Sequence, residues 1–136
     1  MCIDYRELNS NTVPDRYPLP LICDQIARLN GANFFSLLDC ASGFHLIPVN
    51  VESIESTAFI TPDGQFEFLT MPFGLKNAIS VFQRAIMNAL GDLAHDYVIV
   101  YVDDVLIVSH DVETGLDRLR VVLEALTNAG FSLNLK

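Results

Sequence analysis

Two adjacent aspartates, Asp103 and Asp104, interrupt two runs of strand-forming residues, Tyr97-Val-Ile-Val-Tyr-Val102 and Val105-Leu-Ile-Val108. Each run is β-branched or aromatic and too short for a helix. The pattern predicts a hairpin from the middle of a sheet, with both carboxylates near its tip. The chemistry of that tip is unusual. Tight hairpin turns favour Asn-Gly or Asp-Gly, because their φ angles are often positive, and this segment has no glycine. Two like charges at about 4 Å also repel by about 4 kcal/mol at an effective dielectric of about 20. Aspartate is a common turn former, so the pair alone is weak evidence for a metal site and reads first as a plain turn. A local rule broken with no local gain is nonetheless expected at a functional site. A bound divalent cation is the natural compensation.

The chain has 136 residues, 51% of them hydrophobic and 18% charged, which suits one domain or a piece of one with a real core. No apolar stretch approaches the roughly 20 residues needed to span a membrane, and the mixed, polar first ten residues are no signal peptide. Cys2, Cys23 and Cys40 are odd in number and widely spaced, which predicts reduced intracellular thiols rather than a zinc site or disulfides. The formal net charge of −9 argues against nucleic-acid binding by electrostatics alone. Metal ions at carboxylates, or basic segments outside the chain, would have to offset it.

Pro14, Pro18 and Pro20 make residues 11–20 an extended connector. A short helix is expected next, with Ile22, Ile26 and Leu29 on one face and Gly31 closing it. Phe34 to Asp39 reads as a buried strand, followed by a Ser42-Gly43 turn. Segments 57–61 and 65–70 flank Pro62-Asp63-Gly64 and predict a second hairpin. Residues 78–90 form the clearest helix, with Ala78, Val81, Phe82, Ala85, Ile86, Ala89 and Leu90 on one stripe. Another is expected over about 112–128, with Val112, Leu116, Leu119, Leu123 and Leu126 inward. Residues 131–135 alternate like a last strand.

With the 57–70 hairpin set aside as an insertion, the order is strand, helix, strand, strand, helix, strand. That is the α+β split β-α-β-β-α-β arrangement, an antiparallel sheet with helices on one face. In this topology the 34–39 strand and the central hairpin can be neighbours, so Asp39 is expected to converge with Asp103 and Asp104 at the open end of the sheet. Three carboxylates suit Mg²⁺, which takes hard oxygen ligands and keeps positions open for water and phosphates. Two such ions support phosphoryl transfer. Histidine or thiolate ligation fits less well, since His45, His95 and His110 are scattered and Cys40 falls on the other side of the strand from Asp39.

Four ordered motifs carry a family resemblance. They are Ile3-Asp-Tyr-Arg-Glu-Leu-Asn9 with Thr12 and Asp15-Arg-Tyr-Pro-Leu-Pro20; Phe35-Ser-Leu-Leu-Asp-Cys-Ala-Ser-Gly-Phe-His45; Met71-Pro-Phe-Gly-Leu-Lys-Asn-Ala78 with Phe82-Gln83; and Tyr101-Val-Asp-Asp104. Together they resemble the reverse transcriptase domain of gypsy-type LTR-retrotransposon Pol polyproteins. Ile79 stands where that family usually has proline, and Leu46 where it commonly has glutamine.

The resemblance implies a polymerase palm with part of the fingers: fingers-like 1–33 and about 50–72, palm-like 34–49 and 73–136, with thumb and ribonuclease H absent. It implies an RNA-directed DNA polymerase that adds deoxynucleotides to a primer 3′-hydroxyl through two Mg²⁺ ions, Mn²⁺ being an alternative. Asp39, Asp103 and Asp104 would hold the metals, with the Cys40 carbonyl an extra ligand. Backbone amides of Ala41, Ser42, Gly43 and Phe44 would cradle the triphosphate. The Phe44 ring would exclude a ribose 2′-hydroxyl, and Phe73 and Gly74 would border the nucleotide. Lys76, Gln83, Tyr101 and Val102 would approach template or primer, and Lys136 the leaving pyrophosphate. Implied partners are an RNA or DNA template with primer, deoxynucleoside triphosphates, and the thumb, ribonuclease H, protease and integrase of the polyprotein, with no membrane. The compartment implied is intracellular, a cytoplasmic particle or the nucleus, and not secretory. Competing readings are a catalytically silent remnant or binding module that keeps the fold, and another enzyme on the same topology, such as an RNA polymerase or a nucleotide cyclase.

Overall fold

The computed structural model describes residues 3–40 and 43–134. The roles expected of Ala41, Ser42 and Lys136 fall outside the described residues. Three strands form the central sheet: β1 (Phe34–Asp39), β4 (Val98–Tyr101) and β5 (Asp104–Ser109), in the order β1-β5-β4. Both pairings are antiparallel. A separate two-stranded sheet joins β2 (Phe59–Thr61) to β3 (Gly64–Phe66) around Pro62-Asp63, shorter than the sequence suggested. The helices are α1 (Arg6–Asn11), α2 (Ile22–Ala27), α3 (Ala78–Leu90), α4 (Leu93–Asp96) and α5 (Val112–Asn128). No helix among the described residues is long and apolar enough to cross a membrane.

Period-two alternation sorts the sheet into two faces. Val98 and Val100 of β4 and Val105 and Ile107 of β5 are buried against Phe82, Ile86 and Leu90 of α3 and Val122 and Leu126 of α5. That layer is the core. The opposite face is open: Phe35 and Leu37 of β1 are 52% and 65% exposed. Helix α2 flanks this face, and Ile22, Ile26 and Leu29 line an apolar groove there with Ile99, Tyr101 and Leu106. The arrangement is the α+β, palm-like antiparallel sheet that the sequence predicts, with α3 and α5 packed on one face.

Two elements differ from expectation, the last strand and α5, whereas α3 spans the residues the sequence predicts. The last strand is reduced to one bridge, Leu133 with Cys40, reinforced by the Asn134 N–H donating to the Asp39 carbonyl at 2.9 Å. Helix α3 starts at Ala78 even without a proline at position 79. On helix α5, Leu119 and Leu126 face the core as expected, whereas Val112 and Leu116 are 55% and 62% exposed and Val122 is buried. Gly115 comes close to the end of β5, where a Cβ would lie 2.8 Å from the Ser109 hydroxyl. Arg118 donates to the Val108 carbonyl and stacks over the Tyr97 ring, so a charged residue occupies a position the leucine pattern left outside.

Candidate active site at the carboxylate hairpin

The β4–β5 hairpin closes through Val102 and Asp103, with Tyr101 paired to Asp104. The turn therefore sits one residue earlier than the Asp103-Asp104 tip expected from sequence. Val102 has φ +53°, the one non-glycine with positive φ among the described residues. A positive φ at the first turn position is what a type II′ hairpin demands, and glycine normally supplies it. A β-branched residue there is strained, at a cost of order 1–3 kcal/mol. The missing glycine is thus a real conformational expense.

Helix α3 meets this turn from beneath. The Val102 N–H donates to the Gln83 Oε1 at 3.0 Å, and the Gln83 Nε2 donates to the Val100 carbonyl at 3.5 Å. Gln83 is fully buried. A template contact expected for an exposed glutamine is thereby corrected: this side chain reaches the hairpin and not the surface. From the side, the Cys40 N–H donates to the Asp103 carbonyl at 3.2 Å, tying the end of β1 to the turn.

Register places Asp39 directly across from Asp104. Directly opposed residues of antiparallel strands project from the same face, and like charges so placed repel. Asp103 completes the cluster from the turn. Burial, then the charges of Asp104 and Asp39, raise the Asp103 carboxyl above its ordinary value. The Cys40 thiol is pushed up to about 11 by burial and by the same three carboxylates, Asp103 foremost. Strand register and the turn bring the three aspartates to the same end of the sheet. One carboxyl oxygen, Asp103 Oδ1, is buried with no hydrogen-bond partner, which is costly unless something electropositive meets it.

Gly43 lies beside that oxygen. A Cβ on Gly43 would stand 3.5 Å from Asp103 Oδ1 and 2.6 Å from the buried ring of Phe82, so no side chain fits between loop and helix. Phe44 is buried, with its ring 5.3 Å from those of Phe73 and Phe82. Phe73 itself is 56% exposed at the mouth of this aromatic cluster. Gly74 turns at φ +92° and its carbonyl accepts from Asn9. The Lys76 ammonium donates to the carbonyls of Asn9 and Thr12 at 3.1 and 2.8 Å, so it fastens the end of α1 to the 71–77 loop. Tyr101 is exposed on the open face of the sheet.

The donor chemistry suits a hard cation: carboxylate oxygens, one of them orphaned, under mutual repulsion. Among the described residues, however, no three histidine, cysteine or acidic side chains form a group placed to hold a metal ion. The carboxylates share one end of the sheet without making a closed chelate. Sequence reasoning gave Gln83 a different role and missed both its hold on the hairpin and the Gly43–Phe82 contact. Gln83 carried a signal, since it lies three residues before Ile86 and seven before Leu90, on the flank of the buried stripe.

The family model for reverse transcriptase (RNA-dependent DNA polymerase) matches residues 1–136. The chain is 43% identical over its whole length to the Retrovirus-related Pol polyprotein from transposon opus of Drosophila melanogaster. It is 40% identical over 98% of its length to the corresponding polyprotein from transposon gypsy of the same organism. It spans 14% and 13% of those relatives' lengths. Among solved structures, the foamy viral protease–reverse transcriptase in complex with RNA/DNA hybrid superposes with a TM-score of 0.87 at 24% identity, over 96% of this chain and 18% of that one. The native prototype foamy virus protease–reverse transcriptase gives 0.83 at 29% identity, over 98% and 18%. With the palm-like sheet, the carboxylate hairpin and a match along all 136 residues, the chain belongs to the reverse transcriptase (RNA-dependent DNA polymerase) family.

Proposed function

We propose that this chain is the nucleotidyl-transfer core of an RNA-directed DNA polymerase within a retrotransposon Pol polyprotein. The single observation that carries the reading is the pairing of Asp39 with Asp104 across the sheet, beside the orphaned carboxyl oxygen of Asp103. Asp39 and Asp103 would hold two Mg²⁺ ions, or Mn²⁺, with Asp104 and the Cys40 carbonyl alongside. When bound, such ions supply an activated primer hydroxyl and charge neutralisation at the leaving oxygen. The protein's own part is positioning. Gly43 lets its loop lie close to Asp103, where loop amides can meet a triphosphate. Phe44, backed by Phe73 and Phe82, is suited to excluding a ribose 2′-hydroxyl and so to selecting deoxynucleotides. Residues 1–33 and about 50–72 would act as fingers, and 34–49 with 73–136 as palm. Template, primer and the other polyprotein segments are the partners, in a cytoplasmic particle or the nucleus.

The test is primer extension on an RNA template with deoxynucleotides and Mg²⁺, in the natural chain that carries this segment. Asp103→Asn keeps the volume and removes the charge, and should lower the rate by about a thousandfold, in line with several kcal/mol of metal-borne charge stabilisation. Extension that survives Asp103→Asn would end the assignment. A second reading, a folded module without chemistry, is favoured by the lack of a three-donor metal group among the described residues. It predicts hybrid binding that ignores Mg²⁺ and no extension by the unaltered chain.

A further inference from the structure

The strained turn at Val102 must be held by something outside itself. Two neighbours grip it. The Cys40 N–H takes the Asp103 carbonyl, and the Gln83 amide takes one backbone group on each side of the bend, the Val100 carbonyl and the Val102 N–H. Gln83 is the less expected of the two. It projects from α3 among apolar neighbours, Phe82 and Ile86, where leucine or methionine would fill the space without a desolvation cost. Both ends of its amide are spent on the hairpin backbone. Asp103 Oδ1 accepts no hydrogen bond, so the stance of that carboxyl is set by its backbone.

We propose that Gln83 is a positioning residue of the active site, a buried clamp that holds Val102 at positive φ and thereby fixes where the Asp103 carboxylate stands. The catalytic consequence rests on the polymerase reading, whereas the clamp itself rests on the hydrogen bonds. Gln83 touches no reacting atom and acts through the turn. It should therefore govern the rate of the bond-forming step and leave nucleotide and primer affinity alone. Because the clamp exists to hold a conformation glycine adopts freely, Val102→Gly should make it dispensable.

The experiment compares Gln83→Met, which matches the length of glutamine and lacks its hydrogen bonds, in the natural chain and in a Val102→Gly background. Backbone amide exchange is read on the chain alone, and single-turnover extension is read against nucleotide concentration. In Gln83→Met the Val102 amide should exchange about tenfold faster or more, as loss of one buried hydrogen bond implies, while Val98 and Ile107 keep their protection. The maximal rate should fall about tenfold or more, with half-saturating nucleotide and primer within about threefold of the natural chain. In the Val102→Gly background the rate loss from Gln83→Met should shrink to about threefold or less. Unchanged Val102 exchange, a loss confined to half-saturation, or an equal rate loss in both backgrounds would overturn the proposal. Should Gln83→Met fail to fold, Val102→Gly is expected to restore it, and failure of that rescue counts against the clamp. A natural chain that never extends a primer would defeat the polymerase reading, and the exchange measurement would still decide the clamp.

Discussion

At the scale of single residues, Asp103 concentrates the conflict in this fold. Its carboxyl is raised above the ordinary 3.8 by burial and then by Asp104 and Asp39. A raised acid holds its proton more tightly folded than unfolded. The contribution of this group to stability is therefore fully present below the unfolded value of 3.8 and is lost as pH rises through the interval up to the raised folded value. In a chelator, Asp103→Asn should melt above the natural chain at neutral pH, and the two melting curves should converge as pH drops below 3.8. Adding Mg²⁺ should raise the melting temperature of the natural chain and not that of the variant. Calorimetry across pH measures both, and an asparagine variant that melts lower at neutral pH would contradict the account. The three aspartates were legible in the sequence because topology alone brings their strands together. The turn position was not, since nothing local announces that a valine will accept φ +53°. Gln83 supplies that conformation from another element, and a reading that moves along one segment at a time does not see it.

At the scale of elements, α3 was legible to the residue because its apolar stripe is continuous and faces one sheet. Helix α5 was legible in extent and only in part in orientation. Leu119 and Leu126 face the core as their spacing suggests, whereas Val112 and Leu116, near its start, face outward. The start of α5 offers a test of local chemistry. Asp111 caps it by accepting from the Thr114 N–H at 2.8 Å and the Thr114 hydroxyl at 2.9 Å. Those bonds, backbone first, hold its carboxyl below the ordinary range. A depressed acid stabilises the fold above its unfolded value, and that contribution is lost as pH falls through the folded one. Asp111→Ala should lower the melting temperature at neutral pH, Asp111→Asn should retain much of the cap, and the alanine deficit should shrink in acid. A deficit that stays constant into acid would show that the cap contributes nothing through its charge.

At the scale of the whole molecule, the net charge of −9 is joined by a second constraint. Most cationic side chains among the described residues are already engaged. Arg84 pairs with Asp15 and Arg6 with Asp4, while Lys76, Arg28 and Arg118 donate to backbone carbonyls. Among the described residues, few are left to meet phosphates. Binding of an RNA/DNA hybrid to this chain should therefore depend weakly on salt, with a slope of log affinity against log salt no steeper than about −2. Fluorescence anisotropy across potassium chloride concentrations would check this, and a slope near about −6 would reveal a basic track that the fold does not show. The outer strand has a different consequence. Strand β1 lies at the sheet margin, reads Phe-Phe-Ser-Leu-Leu-Asp, and turns Phe35 and Leu37 to solvent with no lysine or proline to discourage a neighbour. A margin of that kind recruits further strands. Handled in isolation, the segment should self-associate as its concentration rises, and Leu37→Lys should raise the concentration at which that begins.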